Sequence, residues 1–127
     1  MDRFVLGISA PLWFLYGLYC FFVPGSLEDP AGVLATHGTG SAELRAMYGG
    51  LQAALGALCG LGFVNPAYRR TALTTLLFLT LGLGLARLGG ALLDDGFSAY
   101  TGMAFAFEYG TAGLAALALR GSEPAPA

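Results

Sequence analysis

The chain has 127 residues, of which 56% are hydrophobic and only 11% charged, with a formal net charge of −2. A soluble domain carries roughly 25% charged residues, so the composition excludes a globular protein in water and points to lipid as the solvent. Lysine is absent and the one basic cluster is Arg69–Arg70, which argues against nucleic acid as a partner.

Four apolar runs each reach the ~20 helical residues that cross a hydrocarbon core of about 30 Å. They span 4–23, 44–64, 71–93 and 100–119. None alternates with period two, and only helices or closed barrels satisfy backbone hydrogen bonds in lipid. The pattern predicts an all-α protein, one antiparallel four-helix transmembrane bundle over 1–120.

The first run, 4–23, exceeds the 7–15-residue apolar core of a secretory signal and carries both Asp2 and Arg3 at its start. No small-x-small cleavage site follows, and bulky Tyr19 precedes Cys20 where a lipoprotein signal needs a small residue. It reads as a retained helix, kinked at Pro11. The connection GSLEDPAGVLATHGTGS, residues 25–41, is the one long loop. Asp29–Pro30 predicts a short helix there, capped by Asp29, begun by Pro30 and ended at Gly38, with Val33 and Leu34 resting on the mouth of the bundle.

In the second run, Gly49, Ala53 and Ala57 recur at spacing four, with Gly56 and Gly60 on an adjacent row. Small residues of this kind let helices approach closely in lipid. Arg45, Tyr48, Gly49 and Gln52 fall at i, i+3, i+4 and i+7, one stripe of an α-helix. Glu43 suits the helix N-terminus. The third run sets Gly84, Arg87, Gly90 and Ala91 on one face and closes in the turn Asp94–Asp95–Gly96. The fourth has Gly102, Ala106 and Gly110 at spacing four, and Glu108 among them. The tail from Gly121, GSEPAPA, is expected to be disordered.

Arg3, Arg69, Arg70 and Arg120 flank the helices at one end of the bundle, whereas Glu28, Asp29, Glu43, Asp94 and Asp95 gather at the other, with Arg45 the main exception. By the positive-inside rule both termini are expected in the cytoplasm. Cys20 and Cys59 differ in depth by about 18 Å at 1.5 Å per residue, beyond the reach of a disulfide, and read as packing residues.

Arg87 and Glu108 are the ionisable groups within the hydrocarbon. Counted from the acidic end, Arg87 lies about 10 Å deep and Glu108 about 12 Å deep. An unpaired central arginine costs at least ~2.5–3.5 kcal/mol. Helical side chains lean toward the helix N-terminus, which turns Arg87 inward and Glu108 toward it. An Arg87–Glu108 contact is therefore predicted. Tyr16, Arg45, Tyr48, Gln52 and Asp94 fall at similar levels or on the same faces, so the expectation is a polar, ligand-binding chamber lined by Tyr16, Arg45, Tyr48, Gln52, Arg87, Asp94 and Glu108. The opposite half of the bundle is expected to be apolar and built of small residues. His37 is the only histidine, sits in a loop and has no second ligand at a recognisable spacing, so neither a metal nor another cofactor is expected.

FLYGLYCFFVP, AELRAMYGGLQAALG, and GLARLGGALLDDG followed by FEYGTAGLAALAL resemble a small bacterial family of four-helix inner-membrane proteins catalogued as a domain of unknown function. The resemblance covers the chain except loop 25–42 and the tail. Its most specific parts are ELRAMYGG and the order Arg87, Asp95–Gly96, Glu108. It implies a multi-pass protein of the bacterial inner membrane and suggests that these charged residues belong to one feature. It implies no reaction.

Three functions fit this sequence. The first is binding of a lipid-like molecule, its anionic or carbonyl head at Arg87 and Arg45 and its tail in the apolar half. The second is an accessory subunit in which Arg87–Glu108 is a structural ion pair. The third is an enzyme using Glu108 as acid or base, which a tight pairing with Arg87 opposes by lowering the glutamate pKa. Expected partners are membrane lipids and, through the glycine-rich helix faces, further copies of the chain.

Overall fold

The computed structural model describes residues 1–122. Among them no strand occurs, and four helices are long and apolar enough to cross a membrane. We label α1 (Asp2–Phe22), the short α2 (Glu28–Ala31), α3 (Gly38–Val64), α4 (Pro66–Leu93) and α5 (Ala99–Gly121). Of the predicted tail, Gly121 ends α5 and Ser122 follows it, and the remainder lies outside the described residues.

The three corners are set by local chemistry. A 3-10 turn, Pro24–Leu27, leads from α1 into α2. α2 ends at Gly32, whose left-handed φ of 67° suits a residue without a Cβ. The sequence reading of this loop is therefore corrected. Pro30 lies within α2 rather than at its first position, and Leu27, not Val33 or Leu34, is the buried apolar residue. Gly38 begins a helix instead of ending one. His37 is the N-cap of α3, its Nδ1 accepting from the Gly40 amide at 3.4 Å. The second span thus starts at Gly38 rather than 44, which puts Glu43 beyond the first turn and away from the dipole.

α3 and α4 meet at Asn65, whose side-chain oxygen accepts from the Ala67 amide at 3.0 Å while Pro66 opens α4. A one-residue hinge forces the two helices antiparallel and draws Arg69 and Arg70 into the first five residues of α4, ahead of the predicted start at 71. Between α4 and α5, Asp95 takes φ 49°, a conformation short acidic side chains tolerate, and Ser98 caps α5 by accepting from the Thr101 amide.

α1 packs along α3, α3 against α4, and α4 against α5, while α1 and α5 touch more sparsely. The α1–α3 contact is backbone on backbone. A Cβ on Gly17 would come 2.6 Å from the Gly49 carbonyl oxygen, and one on Gly56 would come 2.7 Å from Phe14 Cα. Only glycine permits that approach. The buried core, including Leu6, Trp13, Cys59, Leu73, Leu76 and Ala115, fills the half of the bundle toward the start of α1 and the end of α5. Arginines tie that end together: Arg69 pairs with Asp2 at 3.4 Å, and Arg70 reaches the Ser122 carbonyl oxygen at 3.5 Å. Both cysteines are free and buried.

Candidate functional site

α3 is not uniform. Arg45–Gly50 forms a π-helical turn, closed by the Leu51 amide donating to the Ala46 carbonyl, between regular segments Gly38–Leu44 and Leu51–Val64. π turns recur where a helix has been adapted to a function. Here the wide turn sets the bearing of Arg45. One extra residue rotates everything before it by about 100° relative to an unbroken α-helix, so Arg45 leaves the stripe that Tyr48 and Gln52 share. Its guanidinium instead donates Nη1–H to the Phe21 carbonyl at the end of α1 and lies 5.5 Å from the Phe21 ring. That end has orphan carbonyls to satisfy, and Arg45 is spent on one of them.

Arg87 of α4 and Glu108 of α5 meet as the sequence predicts. Nε stands 3.1 Å from both carboxylate oxygens, and Nη2 is 2.6 Å from Oε1. Glu108 is 4% exposed, while 29% of the Arg87 side chain remains open. The pair is thus anchored from the buried side. Nη1 of Arg87 makes no hydrogen bond among the described residues, so its two N–H groups stay available. Gly84, one turn before Arg87, lies against the Tyr109 ring, where a Cβ would come within 2.9 Å. That close approach brings α5 near enough for the bidentate contact.

A phenol stands beside the pair. The Tyr100 ring centre is 5.8 Å from the Arg87 guanidinium carbon. Tyr16 and Tyr48 adjoin Gly17 and Gly49, which meet where α1 packs on α3. The contacts thus join Arg87 from α4 with Tyr100 and Glu108 from α5. Gln52 lies one turn from Tyr48, and its Oε1 is buried without a partner, an acceptor whose desolvation costs about 1–3 kcal/mol.

Two members of the predicted chamber stand apart. Arg45 is at the end of α1 for the reason given above. Asp94 terminates α4 and is exposed, with no ion pair among the described residues. Two turns above Arg87, it has water within reach, and nothing draws it inward. Two residues were not anticipated. Tyr100 follows the start of α5 so closely that an interfacial anchor is the natural reading. Only the cap at Ser98, which begins the helix just before it, hints that it faces Arg87. Trp13 is 5% exposed with an unpartnered indole N–H, and its ring centre lies 5.5 Å from that of Phe107. No sequence signal marks a tryptophan whose donor stays unpaired.

Two concavities complete the picture. One, about 280 Å³, is an apolar groove between α1 and α5 lined by Phe4, Ile8, Leu12, Phe107, Gly110 and Leu114 among others. The other, about 300 Å³, lies under the loop before α3, between Pro24, Leu34, His37 and Ser41. No cluster of three or more His, Cys, Asp or Glu side chains able to hold a metal occurs among the described residues.

A family model described as "Domain of unknown function (DUF4345)" matches residues 1–119. The chain belongs to this family. No curated protein and no solved structure matches it.

Proposed function

We propose that this member of the DUF4345 family is a multi-pass protein of the bacterial cytoplasmic membrane that binds a small amphipathic, lipid-like molecule at Arg87. One observation carries the reading. Glu108 holds Arg87 by Nε and Nη2 and leaves Nη1 unclaimed among the described residues, with the Tyr100 ring centre 5.8 Å from the guanidinium carbon. Intramembrane charges are functional-site candidates by default, and an apolar groove lies in the half of the bundle next to this one.

The test compares wild type with Arg87→Met/Glu108→Leu, both purified in mild detergent, by native mass spectrometry and solvent extraction. Exchanging a buried pair for apolar residues of similar size is often neutral or stabilising, so the variant is expected to fold. A stoichiometric small molecule on wild type and none on the variant is the expected result. A bare polypeptide mass for each protein, with nothing extracted from either, refutes binding. It favours the second reading, an accessory subunit whose bidentate Arg87–Glu108 contact fastens α4 to α5.

A further inference from the structure

The groove between α1 and α5 runs along both helices toward the level of Arg87. On α1 it follows the ridge Phe4, Ile8, Leu12, and the i, i+4 spacing of that ridge continues to Tyr16 on the next turn. On α5 it follows Leu114, Gly110 and Phe107. Two turns back from Phe107 stands Tyr100, beside the Arg87 guanidinium. The two walls therefore run, on α1 toward Tyr16 and on α5 toward Tyr100, to the level of the Arg87 contact. Ser9 and Thr111 are the only lining residues with a hydroxyl. The groove opens sideways, for Phe4, Ile8, Leu12, Phe107 and Leu114 are all exposed. That shape suits a hydrocarbon chain entering from the bilayer.

Charge decides what such a chain carries at its polar end. Glu108 already cancels the charge of Arg87, and Arg45, the other cation in this half of the bundle, is turned to the Phe21 carbonyl. An anionic head would bring a net negative charge into lipid without a counter-ion, which is expensive. An uncharged acceptor takes a charge-assisted N–H bond from Nη1 and leaves the site neutral. Resting on the binding function proposed above, we infer that the occupant is an uncharged lipid whose carbonyl or ester oxygen accepts from Arg87 and whose chain lies along the α1–α5 groove.

Trp13 reports on the groove. It is the only tryptophan, and its ring meets Phe107 at 5.5 Å. Bromine quenches indole fluorescence at short range, so two probes of identical chain decide the matter: the methyl ester of dibrominated stearic acid, and the free acid at a pH where it is ionised. The ester is expected to quench Trp13 saturably, and the acid to need at least about tenfold more. Arg87→Met/Glu108→Leu is expected to weaken the ester about tenfold as well. Gly110→Leu, at a position where a Cβ meets nothing within 4 Å, is expected to shut the chain out. An acid that binds as well as the ester, with loss in the Arg87/Glu108 variant, overturns the uncharged head while the site stands. Full quenching in Gly110→Leu overturns the groove. Equal quenching in wild type and the Arg87/Glu108 variant, or no saturable quenching by either probe, overturns this inference and the binding function beneath it.

Discussion

Arg87 and Glu108 form a unit whose energetics depend on whether one or both are removed. Glu108 is almost wholly buried and Arg87 reaches it with Nε and Nη2. Replacing Glu108 alone by Leu strands a guanidinium in hydrocarbon, at a cost of at least ~2.5–3.5 kcal/mol. Replacing both removes the charge and the need for it together, so the double variant is expected within about 1 kcal/mol of wild type or above it. Unfolding followed in mixed detergent micelles measures the difference. A double variant as unstable as Glu108→Leu would mean that the loss comes from the side chain Glu108 itself supplies and not from a stranded guanidinium. The pairing was legible because depth follows from 1.5 Å per residue and lean follows from helix geometry. The bearing of Arg45 was not legible, since hydrophobic spacing in RAMYGG reads the same whether the turn is α or π. Gly49 and Gly50 leave few side chains to tell the two apart.

At the scale of helices, the same small-residue spacing does two different jobs. Gly56 and Gly17 lie against backbone of the neighbouring helix, whereas Gly102 and Gly110 on α5 have open space where a Cβ would stand. Both rows share the spacing of a packing face, and spacing alone cannot report whether a partner helix of the same chain lies opposite. Substitution separates them. Gly56→Leu is expected to destabilise the bundle by about 1–3 kcal/mol or more, because α1 must move away from α3. Gly110→Leu is expected to change stability by less than about 0.5 kcal/mol. Thermal denaturation of the two variants in one detergent gives the comparison, and similar losses would mean that the α1–α5 groove is closed in the membrane. The helix starts follow the same lesson. Asn65–Pro66 and His37 set the beginnings of α4 and α3, and each lies outside the apolar run that announces the span, so hydropathy places both starts too late.

The whole molecule is polar in a second sense, with an arginine-rich end and an acidic end. Arg3 sits 5.1 Å from the Phe63 ring, Arg69 pairs with Asp2, and Arg70 reaches the carbonyl of Ser122. These contacts gather the cations where α1 begins and α5 ends, with the tight core beneath them. Glu28, Asp29, Asp94 and Asp95 occupy the other end, above the Arg87 cluster. By the positive-inside rule the arginine end is expected in the cytoplasm, which would set Arg87 in the outer leaflet. Single-cysteine labelling checks this. Cys20 and Cys59 are buried, so a brief exposure to a membrane-impermeant maleimide should leave them untouched. Thr36→Cys is expected to react in intact cells, and Ser122→Cys only after permeabilisation. The outcome also constrains the ligand. The groove rises from the arginine end toward Arg87, so in the expected orientation a bound lipid keeps its head in the outer leaflet while its chain points toward the cytoplasm, parallel to the lipids of that leaflet. The reverse labelling pattern would place the same site in the inner leaflet and make the cytoplasmic side the source of whatever occupies it.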